Sequence, residues 1–72
     1  MLTNDDLARR LRSHADALAA AGDNLHRVRS YRRAALTVLA APVAVADRPD
    51  VLARLPGVGK SLARRIAELA AA

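Results

Sequence analysis

The chain predicts an all-α domain of four helices. Apolar residues recur at intervals of three and four, no stretch alternates apolar and polar like a strand, and glycine, asparagine and proline fall where helices would end. At 72 residues there is room for one small domain and no second core, and no internal repeat is present.

The first helix is expected over about 5–21. Thr3 or Asn4 can cap it, Asp5 and Asp6 suit the positive end of its dipole, and Gly22 suits a left-handed stop. Leu7, Leu11, Ala15 and Leu18 form its apolar stripe, with His14 as a packing residue on the edge. The second helix is expected over 24–41, capped by Asp23 or Asn24 and stopped by Pro42. Its stripe reads Leu25, Val28, Ala35 and Leu39, with Leu36 alongside. His26, Arg29 and Arg33 share another face, whereas Arg32 sits among apolar positions and is expected to pack its stem and pair its head with a carboxylate. Residues 42–50, PVAVADRPD, read as a loop or a turn of helix, followed by a short helix over about 50–54 capped by Asp50. The last helix runs over 60–71, with Leu62, Ala63, Ile66, Leu69 and Ala70 inward.

There is no cysteine, so neither a disulfide framework nor a thiolate metal site is available. Two histidines without suitably spaced acids make no metal site either, and no triad or paired-carboxylate arrangement stands out. One Tyr, no Trp and no Phe leave the core to Leu, Val, Ile and Ala. No apolar run approaches the roughly 20 residues of a membrane span, and the start MLTNDD is acidic. The expectation is a soluble monomer with no membrane partner, cytoplasmic, and nucleoid-associated if the source is bacterial.

The net charge of +5 is unevenly placed. In residues 1–22 three arginines meet three aspartates and cancel. Residues 26–33, HRVRSYRR, carry four arginines and no acid, and residues 51–72 add Arg54, Lys60, Arg64 and Arg65 against Glu68. Two basic segments in a chain of pI near 11.4 point to a polyanion-binding face rather than to arginines that are merely solvated.

The stretch LPGVGKSLARRIAEL, 55–69, contains Gly-Lys-Ser, which invites a nucleotide-loop reading. That loop needs a glycine five positions before Gly59, where Arg54 stands, and a strand ahead of it, which is missing. A tight turn between helices fits better. Val58 tucks inward, Gly57 and Gly59 allow strained dihedrals, and the amides of Gly57, Gly59 and Lys60 face outward at a helix start, where the dipole favours an anion. A nucleic-acid phosphate suits such amides without base recognition. Ser61, Arg64 and Arg65 continue this surface, and Arg65 sits at the margin of the inward stripe, facing the same groove as Ser61. Arg29 or Arg33 is expected across from it if the second and last helices pack together.

Leu52, LPGVG at 55–59, Ala63 and Ile66 together resemble the helix-hairpin-helix DNA-binding motif. Upstream, NLHRVRSYRRAA at 24–35, preceded by Gly22 and Asp23, resembles the N-terminal domain of family X DNA polymerases, the DNA polymerase beta type. The two blocks cover most of residues 20–70. The resemblance implies a domain that binds single-stranded or gapped DNA and holds a 5′-phosphate in a basic pocket lined by His26, Arg27 and Tyr31. Read from the residues alone, His26 is also a solvated cap-region histidine, and Tyr31 also a packing residue. The resemblance further implies that the carbonyls of Ala53, Leu55 and Val58 hold K+ or Na+ bridging to a phosphate; no other cofactor is expected. It also suggests a repair or replication setting within a larger polymerase or repair assembly.

In that family a lysine nine residues after the motif proline forms a Schiff base with a 5′-deoxyribose phosphate and eliminates it. Nine residues after Pro56 stands Arg65, which stays protonated and cannot form an imine. Lys60 is the only lysine. The expected function is therefore sequence-nonspecific DNA binding without efficient lyase chemistry. The alternatives are a lyase using Lys60 or the N-terminal amine, and a helical protein-interaction module.

Overall fold

The computed structural model describes residues 2–72, and among them every regular element is a helix. The order is α1 (Asn4–Ala20), α2 (Leu25–Ala40), α3 (Pro49–Leu52) and α4 (Lys60–Ala71). Thr3 takes the cap of α1. Its hydroxyl accepts from the Asp6 N–H and the Asp6 carboxylate accepts from the Thr3 N–H, each at 3.1 Å, a reciprocal pair that satisfies two otherwise orphaned donors. These Thr3 hydrogen bonds hold the Asp6 carboxyl below the usual carboxylate range. At the other end Gly22 adopts φ 75°, and the Asp23 and Gly22 amides reach back to the Leu18 and Ala19 carbonyls. That is a Schellman stop. Asn24 then caps α2 by accepting from the His26 N–H at 2.7 Å.

α1 and α2 pack as an antiparallel pair and form the body of the domain. Leu7, Leu11 and Ala15 bury against Val28, Tyr31, Ala34, Ala35 and Val38. This corrects the expected stripe of α2, because Leu25, Leu36 and Leu39 are exposed. The buried arc is centred on Tyr31, with two alanines beside it that let the helix backbones approach; the leucines lie to one side of that arc. The expected carboxylate partner of Arg32 is Asp16, at 3.2 Å, but the Arg32 side chain is 54 % exposed, so its stem is not part of the core.

The loop after α2 is anchored rather than free. Val45 is fully buried, and the Asn4 side chain holds the loop by donating to the Val43 carbonyl at 2.8 Å and accepting from the Val45 N–H at 3.0 Å. α3 starts one residue earlier than expected, with Pro49 in its first turn and Arg48 at the cap position without a side-chain bond. Asp50 is therefore inside the first turn and does not cap it. Proline suits this place because its missing N–H has no helical partner there.

α4 rests on α1 and α3 through Ala63 and Ile66, with Leu62, Leu69 and Ala70 partly buried. Its C-terminal end is held by Arg10 of α1, whose guanidinium donates to the carbonyls of Leu69 at 2.9 Å and Ala72 at 2.7 Å. A cation there satisfies last-turn carbonyls and meets the negative end of the dipole. α2 and α4 do not pack on each other. An open cleft separates them, and only α1 touches both.

Candidate nucleic-acid interface

The turn between α3 and α4 is built from three local choices. Leu52 and Val58 are buried and anchor its two sides. The Val58 N–H donates to the Leu55 carbonyl at 3.0 Å, closing a four-residue turn with Pro56 second and Gly57 third. Gly57 has φ 77°, so the turn is of type II, which requires a positive φ at its third residue. Gly59 differs from the expectation of strain. It caps α4 with φ −90° and ψ −179°, an extended conformation open to any residue, and a Cβ there would meet nothing within 4 Å.

No side chain caps α4. Among the described residues the amides of Gly57, Gly59, Lys60, Ser61 and Leu62 have no hydrogen-bond partner. Unpaired donors at a helix start, with the dipole behind them, form a ready anion site. Lys60 and Arg64 are exposed beside them, one turn apart. Arg33 reaches the turn from α2, with its Cδ 3.5 Å from where a Cβ on Gly57 would lie. None of these three cations has an ion-pair partner among the described residues. Val58 serves the turn differently, since its side chain is inward and its N–H is already used; only its carbonyl remains.

The second feature is the cleft between α2 and α4, about 340 Å³, lined by Arg27, Ser30, Tyr31, Ser61, Leu62 and Arg65. Two guanidinium groups and three hydroxyls converge there with no carboxylate. Tyr31 is 3 % exposed and packs edge-on against His14, ring centroids 4.6 Å apart at 75°. Its hydroxyl makes no hydrogen bond among the described residues, and no buried polar atom is orphaned, so the hydroxyl end is what meets the cleft. The ring of Tyr31 therefore packs, as one of the two readings has it, while its oxygen is presented to the cleft. Arg27 lines the cleft while leaning toward Asp23 at 3.9 Å.

Across from Arg65 stand Arg27, Ser30 and Tyr31, not Arg29 or Arg33. The reason is the register of α2: the buried arc turns Arg27 and Ser30 toward α4, sends Arg33 to the hairpin and leaves Arg29 in solvent. His26 is exposed and does not line the cleft. Ser30, overlooked in the sequence, lines the cleft and donates its hydroxyl to the His26 carbonyl at 2.9 Å. Serine one turn after a helix start gives no pattern that would single it out. Arg10 also escaped notice, because a cation that caps a distant helix looks the same in sequence as a solvated one.

Lys60 is exposed at the first position of α4 and is not among the cleft residues. The N-terminal amine of Met1, the other candidate nucleophile, lies outside the described residues. Of the carbonyls named for an alkali ion, that of Leu55 already accepts from Val58, while those of Ala53 and Val58 accept no bond among the described residues. Neutral oxygens with spare lone pairs, and no side-chain carboxylate in the set, suit a monovalent cation.

The family model of the helix-hairpin-helix domain matches residues 2–72. This chain belongs to that family. Helix-hairpin-helix domains generally bind DNA without sequence specificity, and here the hairpin is the α3–turn–α4 unit just described. No curated protein and no solved structure offers a match. The helix-hairpin-helix domain accordingly spans all four helices, with α1 and α2 forming the support on which the hairpin is mounted.

Proposed function

We propose that this helix-hairpin-helix domain binds the DNA backbone through the hairpin amides, and that it favours single-stranded or gapped DNA with a terminal phosphate, in repair or replication. The observation that carries the reading is the set of unpaired amides of Gly57, Gly59, Lys60, Ser61 and Leu62 beside the Arg33, Lys60 and Arg64 side chains. Phosphate oxygens supply the acceptors these donors lack, and no base edge is needed. The cleft supports the finer choice. A 5′-phosphate dianion suits Arg27 and Arg65, whose forked donors match phosphate oxygens two at a time, while Ser61 and Tyr31 contribute hydroxyl donors. The resemblance of residues 24–35 to the N-terminal domain of family X polymerases points the same way. An alkali cation held by the carbonyls of Ala53, Leu55 and Val58 would add positive charge at the turn.

One aromatic residue, mostly buried, leaves little for base stacking, so affinity should be electrostatic. Titration against oligonucleotides is expected to give a log–log salt slope of roughly −3 to −5, for about four to six phosphate contacts. Sequences of equal length should bind alike, and a gapped substrate with a 5′-phosphate should bind more tightly than its dephosphorylated twin. Salt-insensitive binding would sink the backbone reading. Equal affinity for the two gapped substrates would remove the terminal-phosphate preference alone.

A further inference from the structure

The two guanidinium groups of the cleft are not alike. Arg65 has no ion-pair partner among the described residues, whereas Arg27 stands 3.9 Å from the carboxylate of Asp23, four residues before it. That separation is well beyond the roughly 2.7–2.9 Å of a charge-assisted hydrogen bond. The attraction is Coulombic, and the fork of Arg27 keeps its donors unspent. The partners also differ in freedom. Asp23 is tied down: its N–H donates to the Leu18 carbonyl at 2.9 Å, and one carboxylate oxygen accepts from the Asn24 N–H at 2.6 Å while the other faces Arg27. Arg27 reaches out on a long side chain that is 48 % exposed. Asp23 does not line the cleft. A fixed acid therefore stands outside the cleft, with an adaptable cation between it and the lining.

We propose that Asp23 competes with the anion of the cleft for Arg27, and so limits how tightly a terminal phosphate is held. The proposal rests on the reading of the cleft as a terminal-phosphate site. A phosphate dianion carries more charge than a carboxylate and reaches both Arg27 and Arg65, and exposed ion pairs hold weakly, so the dianion draws Arg27 away from Asp23. Asp23 then faces the bound anion across Arg27 with like charge, which favours release. Backbone phosphates at the hairpin amides meet Arg33, Lys60 and Arg64 instead, so general DNA binding does not depend on the pair. The domain thus stays on DNA through the hairpin while its hold on a chain end remains exchangeable.

Asp23→Asn tests this, because asparagine keeps an oxygen to accept from the Asn24 N–H and a backbone amide to close α1, and loses only the charge. Affinity is measured for gapped DNA with a 5′-phosphate and for its dephosphorylated twin. Asp23→Asn should tighten the phosphorylated substrate by roughly threefold to tenfold and the twin by less than about twofold, widening the ratio between them. Asp16→Asn removes the same charge from a pair with Arg32, outside the cleft, and should leave the ratio at its parental value. With Arg27→Gln already in place, Asp23→Asn should widen the ratio much less. All variants should keep parental helical circular dichroism. A folded Asp23→Asn protein with the parental ratio overturns the proposal, as does equal widening by Asp16→Asn or undiminished widening without Arg27. Titration with inorganic phosphate, followed at the Ser30 and Ser61 amides by NMR, separates the proposal from the reading beneath it. If the parent binds the two gapped substrates equally, the terminal-phosphate reading fails and the competition is decided by this titration. Tighter inorganic phosphate in Asp23→Asn than in the parent supports it; equal affinity, or no binding by either protein, overturns it.

Discussion

Gly57→Val should lower the melting temperature by roughly 10–20 °C, while Gly59→Val should leave it nearly unchanged. At Gly57 φ is 77°, a region that costs a β-branched residue about 2–3 kcal/mol. A Cβ there would also touch the Arg33 Cδ at 3.5 Å, ordinary contact that adds little further strain, so the penalty is almost wholly in the backbone. In a domain of this size each kcal/mol moves the midpoint by about 4–8 °C. Gly57→Asn should recover part of the loss, since asparagine tolerates the left-handed region. At Gly59 the backbone is extended and the space is open, so the cost falls on binding instead: an isopropyl group beside the amides should weaken DNA binding by about 1–3 kcal/mol. Thermal melts and DNA titrations of the two variants separate these effects. If Gly57→Val melts with the parent, the turn does not depend on its positive φ; if folded Gly59→Val binds DNA as the parent does, the hairpin is not the contact surface.

Borohydride should trap little or no covalent complex between the parent protein and DNA carrying an abasic site or a 5′-deoxyribose phosphate. Imine formation needs an uncharged amine, and the cleft holds guanidinium groups and hydroxyls but no lysine. Arg65→Lys should introduce detectable trapping. The new amine would share the cleft with Arg27, and a neighbouring positive charge disfavours the ammonium form, raising the fraction able to attack. Leu62 contributes an apolar wall that acts in the same direction by limiting hydration. The same substitution should keep DNA binding within a few-fold, because lysine retains the charge and loses only the forked geometry. Efficient trapping by the parent, abolished by changing Lys60, would show instead that the only lysine has taken on the role and that the protein is a lyase.

The sequence made the ends of the elements legible because caps and stops are local chemistry. Thr3 with Asp6, Gly22, Asn24, Pro42 and the Pro56–Gly57 turn each act within a few residues of themselves. What it hid depends on partners far along the chain. Tyr31 outranks the leucines of α2 because Ala34 and Ala35 let α1 come close enough for a ring to fill the space, and hydropathy alone does not register closeness. Gly57 and Gly59 look interchangeable in the motif, yet only one has a positive φ. The cleft is half visible: Arg65 and Ser61 follow from the periodicity of α4, and Arg27 and Tyr31 from the resemblance, whereas Ser30 in the lining and His26 outside it follow from a register of α2 that only packing reveals.

The cleft between α2 and α4 also shapes how the domain comes apart. α1 and α2 are joined by a short turn and share the largest part of the core, so their pairing closes a small loop at low entropic cost. The half from Pro49 to Ala71 has to find α1 across a longer connection and gains nothing from α2 helix to helix. It is therefore the half that docks last and opens first, a separate cooperative unit within a single small domain. Amides in the middle of α4 should exchange with solvent deuterium faster than those in the middle of α1 and α2, and DNA should slow the first group selectively; equal protection across all three helices would mean that the domain opens only as a whole. The segment that carries the unpaired hairpin amides is thus the one whose lifetime a bound ligand would extend, so occupancy of the hairpin should be read as protection.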